Sequence, residues 1–308
     1  MNTPKPIKST LFLLLEKLTF VGVSILVTVG IARHLTPEHF GTFTFLTALL
    51  SLLAPIMAMG LNSIVSREIV KRPSESHLIL GSGLLMRLIA SIVVAPVAAY
   101  LASYFFEPSV SKLMIFLVFS SVFNSVAILN FWFEAHTENG WASSIRLTGF
   151  MLFSLVRLLA LYDGAKLETF VFLVGMEVIF VSISYLLVYH RVSDGLQKFS
   201  VSLAELDRLW KSGRWLLVSA LAAMIHLKID QVMLGLIADE ISVGIYAAAA
   251  KISEVWYFIP AALVTSFFPE LLHKKKEDAQ GYYNALQKLN DFLFWLALII
   301  AFLVTAKS

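Results

Sequence analysis

Long apolar stretches separated by short polar segments run through almost the whole sequence. Each stretch approaches the roughly 20 residues that an α-helix needs to cross the hydrocarbon core of a bilayer. The pattern predicts an all-α polytopic membrane protein with about nine spans, at residues 11–31, 43–65, 81–106, 113–133, 145–162, 168–189, 215–237, 245–268 and 290–306.

The first apolar stretch follows Lys5 and Lys8, as the apolar region of a signal peptide would. It is longer than such a region and lacks a small-residue cleavage site before Arg33. We therefore interpret it as the first membrane span.

The spans are predicted to form two groups, or lobes. Residues 1–190 are predicted to form a first six-helix lobe, and residues 215–308 a partial second lobe of three helices. The segment between them, 191–214, carries apolar residues at helical spacing and is typical of an amphipathic helix lying at the cytoplasmic surface: Leu203, Leu206, Leu209 and Trp210.

Composition and charge agree with a membrane protein and orient it. A chain of 308 residues with 58% hydrophobic residues, 15% charged residues and a mean hydropathy of +0.80 lies outside the range of soluble domains. With the N-terminus in the cytoplasm, fifteen Lys and Arg residues fall in inner segments and only four in outer ones. Because basic loops stay on the cytoplasmic side, this asymmetry predicts a cytoplasmic N-terminus.

An internal repeat relates two turns of the chain. The segment from Leu35 to Phe43 and the segment from Ala238 to Tyr246 both end in an apolar residue, glycine, any residue and an aromatic residue. The two glycines, Gly41 and Gly244, are 203 residues or six spans apart. Each copy therefore starts with the same orientation, as in transporters built from parallel repeats.

Charged residues inside two neighbouring spans are candidates for a functional site. Asp230 and Lys251 both lie at a depth of about 10 Å from the outer ends of their helices, and Lys228 and Glu254 at about 14 Å. Intramembrane charges are costly and normally face a bundle interior or a water-filled path. Our hypothesis is that Asp230 pairs with Lys251 while Lys228 points into the cavity.

The remaining intramembrane charges extend this candidate site. Four cations are expected to line a substrate cavity suited to a diphosphate: Arg87, Arg157, Lys228 and Lys251. Four other residues are expected to act in charge pairing or ion coupling: Asp230, Glu254, Glu177 and His226. Two alternatives stay open. The charges could serve merely to hold helices together, without contacting cargo. Arg87, near the inner end of its span, could extend to the membrane surface.

The sequence predicts neither an enzyme nor a cofactor-binding protein. No catalytic constellation, phosphate-binding glycine loop or metal-ligand spacing is found in the sequence, and the chain has no cysteine. No basic run is long enough to predict nucleic-acid binding.

Specific segments resemble bacterial polysaccharide exporters of the oligosaccharidyl-lipid flippase type, within the multidrug/oligosaccharidyl-lipid/polysaccharide exporter superfamily. The similarity is carried by D-Q-V-M-L-G from Asp230, V-G-I-Y-A-A-A-A-K-I-S-E from Val243, S-F-F-P-E from Ser266, and the first outer turn R-H-L-T-P-E-H-F-G-T-F. The resemblance implies a fold of two lobes around a central cavity. Members usually have twelve or more spans with both termini inside, so the nine-span chain is expected to be a truncated form with an incomplete second lobe.

The function implied by the resemblance is the flipping of undecaprenyl-diphosphate-linked oligosaccharide units across the bacterial inner membrane by alternating access. The expected cargo would serve surface polysaccharide, O-antigen or lipopolysaccharide synthesis, and the expected partners are the lipid-linked oligosaccharide, membrane lipids and polysaccharide assembly proteins. Two alternatives remain: a cation-coupled multidrug exporter of the same superfamily, and a membrane-embedded glycan polymerase or ligase.

Overall fold

A computed structural model describes residues 5–136, 138–193, 199–254 and 279–305. Throughout these residues the regular structure is helical, which confirms the prediction of an all-α polytopic membrane protein. In the part of the chain that the structure describes, six helical segments are long and apolar enough to cross a membrane: Pro37–Lys71, Pro73–Phe105, Pro108–Ala135, Gly140–Tyr162, Leu167–Val192 and Leu203–Ile237. A shorter apolar helical stretch, Thr19–His34, precedes them.

The α-helices of the described residues follow the predicted spans, but the eighth span, 245–268, is described only as far as Glu254 and its remainder lies outside the described residues. Their bounds are α1 Lys5–His34, α2 Pro37–Ala58, α3 Asn62–Lys71, α4 Ser76–Phe105, α5 Pro108–Val122, α6 Leu129–Ala135, α7 Asn139–Tyr162, α8 Leu167–Val192, α9 Leu203–Ile237, α10 Glu240–Glu254 and α11 Ala279–Thr305. Short 3₁₀ segments at Pro73–Glu75 and Phe123–Ile128 join α3 to α4 and α5 to α6.

The predicted second span is divided at its inner end. The helix α2 passes Pro55 without a break and ends at Met59, whose left-handed conformation (φ 54°) is followed by Gly60 at φ 65°. A side chain at Gly60 would overlap the backbone of Gly213 and Leu217 on α9. Glycine therefore serves two purposes here, since it accepts a positive φ and allows close helix packing.

The described residues group into two compact units, Gly22–Ala249 and a smaller one formed from Met1–Val21 and Ala250–Ser308. Among the described residues the larger unit contains three apolar clusters, two large and one small. One large cluster gathers the residues near the α1–α2 turn, including Val27, Ile31 and Leu35. The other large cluster gathers residues of α3, α6 and the end of α8, including Tyr185 and Tyr189.

The smaller unit includes α11, whose apolar side chains are widely exposed, as in Phe292, Trp295 and Phe302. Exposed apolar surface of this kind suits contact with lipid. The predicted lobes at 1–190 and 215–308 remain a prediction.

The predicted linker and the seventh predicted span join without interruption. From Leu203 to Ile237 the chain forms one 35-residue helix, α9, which is not interrupted at Gly213. The linker side chain Leu209 is buried in the second apolar cluster. Along its length α9 packs against α2, so a helix of the predicted first lobe contacts one of the predicted second lobe.

Candidate functional site

Two of the predicted intramembrane charges form an ion pair. An Nη2–H of Arg157 on α7 donates to Oε2 of Glu177 on α8 across 2.6 Å. Arg157 is only 8% exposed, and Glu177 is half-buried. Glu177 lies near the middle of α8 and Arg157 in the last third of α7, both within segments apolar enough to cross a membrane, where a charge without a partner would be costly. The sequence identified both charges but did not predict that they pair with each other.

Arg87 occupies a different environment, in the interior of the bundle beside the 3₁₀ segment Phe123–Ile128. It is 4% exposed, so it does not extend to the surface. An Nη2–H donates to the backbone carbonyl of Asn124 at 3.3 Å, while Nε and Nη1 have no hydrogen-bond partner among the described residues. A buried guanidinium with two unsatisfied nitrogens retains capacity for a further acceptor.

Asp230 bonds to α10 through a residue that the sequence reasoning missed. The phenolic O–H of Tyr246 donates to Oδ2 of Asp230, and the backbone N–H of Gln231 donates to Oδ1 at 2.8 Å. The carboxylate is half-buried in the seam between α9 and α10. His226 on the same helix is exposed and Lys228 is half-buried.

The signal that could have identified Tyr246 is the internal repeat. Moving back by 203 residues aligns Asp230 with Val27 and Tyr246 with Phe43, which are both apolar. The second copy thus carries a polar pair where the first carries an apolar one. A polar substitution at aligned positions of two spans marks a departure from simple packing.

The predicted pair between Asp230 and Lys251 remains a prediction. Lys251 and Glu254 lie in the last turn of α10, within the smaller unit, whereas Asp230 lies in the larger one. Lys251 is half-buried. The side chain of Glu254 lies outside the described residues.

A second missed cluster ties α3 to the start of α9. Arg72 forms a two-pronged contact with Glu205, with Nη2 to Oε1 at 2.7 Å and Nη1 to Oε2 at 3.0 Å. The same guanidinium contacts Glu68 at 3.1 Å and also Glu75. Hydrogen bonds to Glu205, opposed in part by burial, raise the pKa of Arg72 above its ordinary value. Sequence reasoning counted Arg72 only as one more basic residue of an inner loop.

Close glycine contacts define the seam between α2 and the helices α9 and α10. A Cβ at Gly235 would collide with the ring of Phe45, and a Cβ at Gly213 would lie 2.8 Å from the carbonyl oxygen of Met59. Near the start of α2, a Cβ at Gly41 would overlap the backbone at the start of α10. These contacts place helices of the two repeat copies at backbone distance, the geometry that small residues permit in membranes.

Comparisons with known proteins agree with a transporter fold. Residues 7–273 match the family described as polysaccharide biosynthesis protein. In structure, the chain is similar to a multidrug resistance MATE family transporter of the MOP superfamily in an inward-facing conformation. The TM-score is 0.65 and the sequence identity 15%, over 92% of this chain and 69% of that one. No curated protein matches the sequence.

Proposed function

We propose that this chain, which belongs to the polysaccharide biosynthesis protein family, moves undecaprenyl-diphosphate-linked oligosaccharides across the bilayer by alternating access. The observation that carries the proposal is the combination of that family with a MATE-like transporter fold. The proposed location is the bacterial inner membrane with a cytoplasmic N-terminus, because basic residues concentrate in the segments that would then be inner.

Intramembrane cations support a diphosphate headgroup as cargo. Arg157 and Glu177 form an ion pair whose net charge is about zero. A phosphate of the cargo could replace the Glu177 carboxylate as the acceptor of the Arg157 hydrogen bonds. Nε and Nη1 of Arg87 have no acceptor among the described residues and could donate to phosphate oxygens. In this proposal Lys228 and Lys251 add positive charge further along the path, while the prenyl chain stays in lipid.

Transport in this proposal needs no bond-breaking chemistry by the protein. The charged headgroup would enter from the cytoplasmic side and leave on the other side after the helices rearrange, and the similar MATE transporter is known in an inward-facing conformation. Transport is favoured over a glycan polymerase or ligase because the structural relative is a transporter and the fold is shared over most of the chain.

The direct test is surface polysaccharide in a strain that depends on this gene. Arg157→Ala and Lys251→Ala should each reduce the polysaccharide several-fold, because each removes a cation from the proposed path. Arg33→Ala, an exposed cation at the end of α1, is the matched control and should leave the level unchanged. Normal polysaccharide in both cavity variants, at equal membrane abundance, would contradict the proposal.

A cation-coupled multidrug exporter is the second candidate, favoured by the half-buried carboxylates of Asp230 and Glu177. Acidic residues inside a transporter can bind a coupling cation or a cationic drug. If this candidate is correct, expression in an exporter-deficient strain should lower susceptibility to cationic drugs, and Asp230→Asn should abolish the effect. Under the flippase proposal, expression leaves susceptibility unchanged.

A further inference from the structure

The two copies of the repeat have the same helix boundaries. In the first copy, α1 ends at His34 and α2 begins at Pro37. In the second copy, α9 ends at Ile237 and α10 begins at Glu240, each 203 residues later. The helix caps also correspond. Thr36 accepts a hydrogen bond from the backbone N–H of His39, as Asp239 does from that of Ser242.

The repeated turns contact each other reciprocally. A Cβ added at Gly41 would overlap the carbonyl of Glu240 and lie 3.0 Å from the nitrogen of Gly244. A Cβ added at Gly244 would overlap the carbonyl oxygen of Pro37 and lie 3.1 Å from the nitrogen of Gly41. Pro37 and Glu240 are themselves repeat equivalents, so an approximate two-fold axis passes between the two glycines.

The contact joins backbone to backbone, and each helix start beside it has its own cap in Thr36 or Asp239. Separation would therefore leave those capped N–H groups satisfied. The hydrogen bond from the Ser242 backbone lowers the pKa of Asp239, so the carboxylate that caps α10 stays ionised at more acidic pH than an ordinary aspartate does.

A small apolar cluster lies directly beneath the glycine contact. Phe45 and Ala48 of α2 pack there with Val232 of α9 and Val243 of α10, and Ala48 is only 1% exposed. These residues would become accessible to water only if the repeated turns moved apart. The cluster and the glycine contact together close this end of the seam between the two repeat copies.

We propose that Gly41 and Gly244 form a closure at the outer end of the transport path, which is shut in this conformation and separates in every transport cycle. The inference rests on the proposed alternating access, but it does not depend on the cargo. A methyl group at either glycine would hold the turns apart and shift the population toward the outward-open conformation.

Thiol labelling in living cells tests the closure, because the natural chain contains no cysteine. Ala48→Cys places a small reporter in the buried cluster, and Glu38→Cys places an exposed reporter at the same end. Glu38→Cys should react with a membrane-impermeant maleimide from outside in every background. Ala48→Cys should react slowly, and adding Gly41→Ala or Gly244→Ala should raise its rate on the order of tenfold.

Two matched controls separate a closure from general loosening. Gly22→Ala adds a methyl group where nothing lies within 4 Å and should leave the rate unchanged. Gly149→Ala disturbs a tight contact with Val181 between α7 and α8, away from the cluster that contains Ala48. If Gly149→Ala raises labelling as much as Gly41→Ala does, or if the two repeat glycines have no effect, the inference is wrong.

A measurement with both glycines intact covers the case in which the alanine variants do not reach the membrane. Ala48→Cys alone must still react from outside, because the closure opens in each cycle. A complete lack of reaction over a period that saturates Glu38→Cys would overturn the inference. If labelling behaves as expected while Arg157→Ala and Lys251→Ala retain normal polysaccharide, the closure stands and the proposed cargo fails.

Discussion

At the scale of single residues, the pair between Arg157 and Glu177 allows stabilisation to be separated from transport. Removing one partner of a buried ion pair leaves an uncompensated charge, so Glu177→Ala should lower the free energy of unfolding in detergent by about 3 kcal/mol. The double variant Arg157→Met with Glu177→Leu should recover most of that loss, because it leaves no buried charge. Thermal and denaturant unfolding of the purified protein measure both.

Surface polysaccharide in the same two variants then assigns the role of Arg157. If the cation contacts cargo, the apolar double variant should be stable but unable to support polysaccharide. Normal polysaccharide in that variant would mean that the pair only joins α7 to α8.

The polar pair between Asp230 and Tyr246 can be tested with the residues that the chain itself uses in its first copy. Tyr246→Phe removes a donor from a half-buried carboxylate and should lower the free energy of unfolding by about 2 kcal/mol. Asp230→Val with Tyr246→Phe installs the Val27 and Phe43 pattern and should lie within about 1 kcal/mol of the parent protein, because neither partner is left unsatisfied.

The same double variant should lose transport if Asp230 acts in coupling. Polysaccharide synthesis in the dependent strain is the measurement, with Val27→Ile in the first copy as the control. An active double variant would show that the second copy needs no carboxylate at this position.

Residue-level contacts were the least predictable part of the candidate site. The sequence identified Arg157, Glu177 and Asp230 because charges in apolar spans stand out. It could not assign their partners, since pairing depends on helix rotation and distance, which one-dimensional spacing does not contain. Tyr246 was missed because an aromatic residue in a span is normally apolar packing, and only the bond to Asp230 gives its hydroxyl a role.

At the scale of helices, the contact between Arg72 and Glu205 fixes the first turns of α9 against the bundle. Arg72→Ala would leave the largely buried carboxylate of Glu205 unpaired and should weaken local stability by about 2 kcal/mol. Arg72→Lys should not restore it, because an ammonium cannot reproduce the two-pronged contact. Hydrogen exchange of the amides in residues 203–209 should therefore accelerate in both variants.

The exposed pair between Lys211 and Asp207 on the same helix provides the control for that measurement. Exposed i, i+4 pairs contribute little, so Lys211→Ala should leave exchange in residues 203–209 almost unchanged. Equal acceleration in Lys211→Ala and Arg72→Ala would contradict a specific role for Arg72.

Helix existence was predictable and helix continuity was not. The apolar run at 43–65 predicted a span because of its length, but the break at Met59 and Gly60 depends on two left-handed residues and on the approach of α9. Likewise, the change from polar to apolar near residue 214 suggested two elements. The backbone of α9 continues through it, since a change in side-chain polarity does not interrupt helical hydrogen bonding.

At the scale of the whole molecule, the repeat links the fold to the proposed mechanism. Aligned helix boundaries, aligned caps and a reciprocal glycine contact mean that the first two helices of each copy are built on one plan. In the proposed mechanism, the helix pairs of the two copies would move apart at this contact, as repeats do in other transporters. On this shared plan, the second copy has the polar pair Asp230 and Tyr246 where the first copy has apolar residues.

Membrane orientation determines which end of this scaffold is the proposed outer closure, and α4 provides a matched test. Ser74 lies just before α4 and Ser109 just after it, and both are exposed. Replacing serine by cysteine exchanges only the side-chain oxygen for sulfur. Arg67, Lys71 and Arg72 surround the first position, whereas Lys112 is the basic residue near the second. Because basic segments are retained in the cytoplasm, Ser109→Cys should react with an impermeant maleimide in intact cells and Ser74→Cys only after permeabilisation. Reaction of both in intact cells would mean that α4 does not cross the bilayer, and the reverse pattern would place the glycine closure on the cytoplasmic side.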